Sequence, residues 1–559
     1  MLLFAGAAFG QAAMQEQWPA DQRAYRAAMA LADPQQRLTA LRTFSIQFQD
    51  SRYFDSVQEA ALQLLLRSFP SRTAEIRDQV QVNVANADKG YRRWQEQAAE
   101  ADLLADAGVL LPLAQKLAEE SVRSLTETAF LRGMARMFGE LHAEMPTPQE
   151  LHGQYLEVRA ATLLALANVY LSEGRRARAA ALLQQALHVQ PRSARAHALL
   201  GEQDMAEQRP ANALEHFAQA QALGELSGRQ RDQLRSLYRA AHAGSDAGLE
   251  ADLDRRYEAL NPAGFEPGIP EVVTSGHTVL LELFTGAGCL PCAGADVAAE
   301  ALLKTYPREQ VVLLEWDQHI PAPDPLANPA GVGRGEVLGV DNTPNYFLDG
   351  KRMALFGATR ENAAEVYAGL QRLVHQQLRR ASGVHLSLSA QWEANGTVQA
   401  VADLRTDPVE GLQVTTAAEN APWPGDTVAV AERAHAEGAF PPQLVVNFAL
   451  VEDHVRYSGE NGIRFHRMVA RATGSDPAWG QPLHSGTAES MKASFNTSDV
   501  KAALQHYLET FEEHNDQFGP MRFSSREVSL RPDSLGIVAW VQDTRTHRVV
   551  QAAYVHLNP

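Results

Sequence analysis

The chain has 559 residues, 45% of them hydrophobic, so cores can form without cross-links. At about 150 residues per domain, three or four domains are expected. A formal charge of −17 argues against nucleic acid and against anionic membrane surfaces as partners. The chain has only two cysteines, which excludes a disulfide scaffold, and no apolar stretch reaches the roughly 20 residues that span a bilayer.

The first 13 residues, MLLFAGAAFGQAA, are apolar and end in small residues. They resemble the core and cleavage site of a secretory signal without its basic leader, so 1–13 reads as a signal remnant. A periplasmic or otherwise exported protein is expected; an ordinary hydrophobic N-terminus is the other reading. Residues 21–243 are rich in Ala, Leu, Gln, Arg and Glu and read as all-α. Leu166, Ala167, Ala179, Leu183 and Ala186 recur 34 residues later as Leu200, Gly201, Ala213, Phe217 and Ala220. Tyr170, Gly174 and Pro191 complete the first copy. In the second, Asp204 replaces the tyrosine and no proline closes the repeat. This period resembles tetratricopeptide repeats, and the resemblance implies a concave face for a protein partner. The alternative is that the helices only support the rest of the chain. The region before Met145 reads as degenerate repeats. Residues 244–271, a short helix between Gly/Pro signals, read as a linker.

Next comes TVLLELFTGAGCLPC, Thr278 to Cys292, which holds both cysteines. It reads as an apolar strand, a glycine-bearing turn, and a Cys-x-x-Cys pair opening the helix AGADVAAEALLKTY. Pro291 is tolerated in a first helical turn. At a helix start the N–H groups and dipole favour a thiolate, lowering a thiol from about 8.5 to roughly 3.5–7.5. Cys289 is therefore expected to be exposed and nucleophilic, and Cys292, one turn later, to resolve. A zinc half-site would need two further Cys or His at matching spacing, and no such pair lies nearby.

The segment from about Val272 to Arg380 resembles a thioredoxin-like domain. It has a strand, a C-x-x-C pair and a helix, then a second apolar strand, VVLLEWD, and then GVDNTPNYFLDGK. The resemblance implies that Pro344 is a cis-proline facing the Cys289–Cys292 pair and positioning a partner's backbone. It departs from thioredoxin in having Gly288 before the first cysteine, Leu290-Pro291 between the two, and the Pro-rich loop HIPAPDPLANP. Glu282 falls near the family's buried acid that assists proton transfer, with spacing to Cys289 one residue longer. Its other reading is a strand-face glutamate pointing to water.

From Gly383 the period changes to two: Leu386, Leu388, Ala390 and Trp392, a turn at Asn395-Gly396, then Val398 to Leu404. QLVVNFALVEDHVRY, LGIVAWVQD and VVQAAYVHL come after it, with a helix from about Ser498 to His514. Residues 383–559 read as an antiparallel β-sandwich of immunoglobulin-like kind. A thioredoxin-like domain followed by such a β domain resembles exported bacterial proteins, some associated with the outer membrane. His319, His454 and His466 can be read as metal ligands, for example with the Cys pair in a copper-handling protein; without a paired spacing they read as surface or loop histidines, and Glu452, Asp453 and Arg456 read as a solvated edge. No cofactor and no metal is expected.

The expected fold is thus an all-α repeat region (21–243), an α/β thioredoxin-like domain (272–382) and a β-sandwich domain (383–559). The expected function is thiol–disulfide exchange with protein thiols or disulfides, with partner binding on the repeats. Two alternatives stay open: a non-enzymatic assembly protein with a vestigial redox domain, and copper handling through the cysteine pair.

Overall fold

The computed structural model describes residues 19–558 except 88–91, 141, 143–144, 225, 263, 271–272, 274, 356, 407–443, 475–479, 484–487, 516–517, 520, 524 and 527. The signal-like run 1–13 lies outside the described residues. The chain forms two compact units, one of residues 1–220, 226–250 and 510–522, the other of 221–225, 251–509 and 523–559.

The helices of the N-terminal region run in sequence from α1 (Ala20–Met29) through α2 (Pro34–Gln47), α3 (Phe54–Ser68), α4 (Thr73–Ala87), α5 (Arg93–Ala107), α6 (Leu111–Ser124) and α7 (Glu127–Glu140). They continue with α8 (Pro148–Ser172), α9 (Arg176–Val189), α10 (Ala194–Ala206), α11 (Pro210–Leu223), α12 (Gly228–Ala241) and α13 (Leu249–Leu260). The ten residues that recur at 34-residue spacing are buried. A Cβ on Gly201 would stand 2.7 Å from the Phe217 ring, so α10 and α11 approach as closely as a missing side chain allows.

The 34-residue period extends beyond what the sequence suggests. Gly174 and Gln208 both adopt left-handed backbone, φ 75° and 57°. Ser193 and Ser227 both cap helices, accepting from Ala196 N and Gln230 N. Where Tyr170 lies under the Arg175 guanidinium, Asp204 instead forms an ion pair with Arg209. The Asp204 departure is therefore matched by its own arginine.

The second unit is organised around a nine-stranded sheet. Its first strands are β1 (Val279–Thr285), β2 (Val311–Asp317), β3 (Asn345–Leu348) and β4 (Lys351–Arg352). After them come β5 (Val384–Trp392), β6 (Thr397–Thr406), β7 (Leu444–Glu452), β8 (Val455–Arg456), β9 (Phe465–His466) and β10 (Val469–Thr473). The last are β11 (Gln481–Leu483), β12 (Ala488–Asn496), β13 (Leu535–Asp543) and β14 (Val549–His556). The large sheet runs β14-β13-β7-β10-β2-β1-β3-β4, with β11 beside β7. β1 and β2 are parallel, as are β2 and β10, while β3 runs antiparallel to β1. Helices α14 (Ala293–Thr305), α15 (Pro329–Leu338) and α16 (Ala363–Leu378) belong to the same half, and α17 (Thr497–His514) follows β12.

β5, β6 and β12 form a separate antiparallel sheet whose inner face, Val398, Ala400, Ala402 and Leu404, packs on Val446, Phe448, Leu450, Ile537, Ala539 and Val541. The alternate residues Ala449, Val451, Val538 and Trp540 face the core that also holds β1, β2, α14 and α16. Strands β7 and β13 are thus buried on both faces, which is why they read as continuous apolar runs. Two sheets face each other as expected, but the sandwich after residue 382 is not a separate body: its principal sheet is the one that carries β1 and β2. Nor is 244–271 a bare linker. Asp254 on α13 forms ion pairs with Arg456 at 2.9 Å and Arg464 at 2.8 Å.

Candidate functional site

β1 ends at Thr285, and Gly286 to Cys289 form a tight turn closed by Cys289 N donating to Gly286 O at 2.9 Å. A one-turn 3-10 helix, Leu290–Cys292, comes next, and α14 starts at Ala293 with Cys292 at its cap position. The cysteines form a disulfide with 5.3 Å between Cα atoms. Cys289 therefore precedes the 3-10 turn and not the α-helix itself. It is 1% exposed, not open to solvent as expected, whereas Leu290 beside it is 66% exposed.

Neighbouring loops bury the pair. A Cβ on Gly286 would meet the carbonyls of Ile320 and Gln318 at 3.0 and 3.1 Å, and one on Gly288 would meet Ala322 Cβ at 3.2 Å. From the other side Asn461 N donates to Ala287 O at 3.0 Å.

The Thr343–Pro344 bond is cis, as is Ile320–Pro321. A Cβ on Gly357 would lie 2.6 Å from Pro291 Cβ and 2.9 Å from Pro344 Cδ, so Pro344 stands within a side chain's reach of the residue between the cysteines. Ala358 N donates to Pro291 O and Gly294 N to Ala358 O, each at 2.8 Å, tying the 357–359 segment to the Cys turn.

Glu282 points neither to water nor toward the disulfide turn. It is fully buried, and Arg334 on α15 grips its carboxylate at 2.7 and 2.9 Å while Trp316 Nε1 donates at 3.2 Å. The pleat explains this, since residues three apart on a strand point to opposite faces. Thr285 faces α14, donating to Asp296 Oδ1 at 2.9 Å; Glu282 faces α15.

The acids on the α14 face are Asp296, Glu315, Asp317 and Asp324, all buried. Asp296 also accepts from Asn461 Nδ2 at 3.3 Å, and Asp324 accepts from Ala287 N and Leu326 N, which anchors the strand end just before Cys289. Burial pushes the Asp296 carboxyl up to about 8, with Glu315 adding to it, and burial likewise raises Glu315 to about 8. Burial also raises Asp317, reinforced by Asp324 and Glu315, and raises Asp324. His466 joins this group through Glu315, Nδ1 to Oε1 at 3.3 Å. Such a set can hold protons or a cation.

Sequence reading missed this group. Glu315 and Asp317, two apart in VVLLEWD, share one face of a buried strand, a signal that was present. His466 was a possible metal ligand by residue type, but it comes from a distant hairpin and no spacing ties it to Glu315 and Asp317. His466 and His319 are buried, not surface histidines. Burial lowers His319 to about 3, and its ring takes Asp324 N and Tyr507 Oη as partners, each at 3.0 Å. His454 is exposed. Of the expected solvated edge, Glu452 is buried and accepts from Arg531 N at 2.9 Å. Asp453 is gripped by Arg467 at 2.7 and 2.9 Å, and Arg456 is the exposed partner of Asp254.

Comparison with known proteins adds little. No family model matches the chain, and no curated protein matches it. Among solved structures the chain is similar to a domain of the outer membrane lipoprotein Omp28 from Porphyromonas gingivalis. That likeness spans 32% of this chain and 92% of that one, at 14% identity and a TM-score of 0.17, too slight to bear on function. Among the described residues, no helix is long and apolar enough to cross a membrane.

Proposed function

We propose that the chain is an exported thiol–disulfide oxidoreductase with a thioredoxin-like fold around Cys289 and Cys292, and that tetratricopeptide-type helices hold its protein partner. The observation that carries this reading is the disulfide at the β1–α14 turn with Pro344 beside the intervening Pro291. The strand order β2-β1-β3-β4, with only the first pair parallel, supports the fold assignment. In the reduced protein, Cys289 as thiolate attacks a partner disulfide, forming a mixed disulfide and releasing one partner sulfur, which takes a proton. Cys292 then loses its proton and attacks Cys289, restoring the Cys289–Cys292 bond and releasing the second partner thiol. Two electrons pass from the pair to the partner. Because Glu282 is held by Arg334 on α15, Asp296, four residues after Cys292, takes its place in this reading as acceptor of the Cys292 proton. For the partner site, a groove of about 600 Å³ in the helical unit is lined by Glu59, Glu96, Glu100, Arg132 and Arg136 among others. Export rests on the apolar run 1–13.

The burial of Cys289 supports a second reading, in which the disulfide is a structural clip in a non-enzymatic binding protein. Two measurements separate the readings. Equilibration against a thiol buffer should give a potential between about −270 and −120 mV for an exchanging pair, and below about −300 mV for a clip. Exposed to an oxidised protein substrate, Cys292→Ser should accumulate mixed disulfides on non-reducing electrophoresis, whereas Cys289→Ser should form none. Equal adducts from both variants, or none from either, would remove the exchange mechanism.

A further inference from the structure

We propose that Glu315, Asp317 and His466 form a binding site for one first-row divalent cation, Zn²⁺ or Mn²⁺, in the core of the second unit. Each side chain presents a ligand atom, and the three atoms lie within 4.8 Å of one another. They come from β2 and from β9, which precedes β10, the parallel neighbour of β2.

Asp317 is the observation that points to a ligand. It is 1% exposed, and neither carboxylate oxygen has a hydrogen-bond partner among the described residues. A buried carboxylate without partners is costly, and a chain that satisfies Asp296 and Asp324 with two bonds each has left Asp317 with none.

The histidine is set as a metal-ligating histidine would be. Its Nε2 lies 3.1 Å from the Tyr457 carbonyl, which can only accept, so Nε2 carries the hydrogen and Nδ1 faces Glu315 Oε1 at 3.3 Å. Two ligands about 2.1 Å from a metal and that far apart subtend roughly 100°, close to tetrahedral. Glu315 Oε2 is held by Arg467 N at 3.2 Å, which orients the carboxylate. Asp324 spends its oxygens on backbone N–H groups and is a neighbour of the site, not one of its ligands. Two carboxylates and one imidazole suit Zn²⁺ or Mn²⁺; Ca²⁺ takes about 6–8 oxygens, more than the three residues supply.

The test uses the full chain in its oxidised form, whose disulfide offers no thiolate ligand. The protein is stripped with a chelator, unfolded and refolded with Zn²⁺, with Mn²⁺ or with neither. Metal content is then measured by elemental analysis, and stability by thermal unfolding. One equivalent of either ion should be retained, with a higher Tm. Asp317→Asn, which keeps the shape, and His466→Asn should each reduce affinity at least tenfold. X-ray absorption of the wild type supplies a readout independent of the variants and should report oxygen and nitrogen neighbours. No retained metal, retention unchanged in both variants, or sulfur in the coordination shell would overturn the site. So would an Asp317→Asn protein that is more stable than a wild type unresponsive to either ion, which would make the group a protonated cluster.

Discussion

On β1, only two residues separate an acid held by α15 from a hydroxyl bonded to α14. Glu282 is held bidentately by Arg334, itself over the Trp540 ring and bonded to Gln542 Oε1 at 3.0 Å. Breaking a buried ion pair from one side strands the other charge, at about 3–5 kcal/mol. Glu282→Gln should therefore lower the urea midpoint sharply while leaving the exchange rate per folded molecule unchanged, and Glu282→Leu with Arg334→Leu should recover much of the stability. A rate that falls with stability intact would return Glu282 to the thiol chemistry. The cysteines and Pro344 were legible because their signals are local: a fixed spacing, glycines at a strand end, a proline before a strand. Glu282 was legible as an odd residue in an apolar run, but its role turned on which face of the pleat it occupies. Asp317 and His466 meet only through the parallel neighbour β10, a pairing no local pattern announces.

At the scale of elements, the repeat was readable because helix packing needs small residues at fixed positions, and Gly201 against Phe217 is that need in one contact. The Tyr170-to-Asp204 change looked like a weak match because the sequence hides that Arg175 and Arg209 serve both. α10 also carries a titratable liability. His197 is buried, its Nδ1 3.0 Å from that of His216 on α11, with Glu215 and Asp204 nearby. Burial, then His216, lowers His197 to about 4. Burial also lowers His216. An unfolded histidine titrates near 6.5, so between about pH 6.5 and 4 the unfolded chain binds more protons and the helical unit loses stability as pH falls. The loss from His197 approaches about 3 kcal/mol below pH 4. His197→Leu should flatten this dependence in urea titrations followed by helix content at pH 7, 6 and 5. An unaltered slope would place the acid sensitivity elsewhere.

Across the second unit as a whole, one core overrides the boundary that the change of period suggests at residue 382. Period two begins at Val384, so a new domain is the natural reading; yet β7, β13 and β14 return to the sheet that β1 and β2 began, and β10 pairs directly with β2. The core around β1 and α14 includes Ala449, Val451, Met468, Ala470, Val538, Trp540, Val549 and Ala552. At about 1.5–3 kcal/mol for each of Val451, Met468, Val538, Trp540 and Val549, their loss would remove roughly 10 kcal/mol, comparable to the whole stability of about 5–15 kcal/mol of a typical domain. It would also open the unpaired edge of β2, an apolar strand, to other chains. A fragment of residues 272–382 should consequently fail to fold although it holds both cysteines and Pro344. Circular dichroism and amide NMR of the fragment check this: the expected result is aggregation, or a non-cooperative melt with poorly dispersed resonances. A dispersed spectrum and a cooperative transition would mean that the Cys-bearing half is an independent domain to which the later strands were only added.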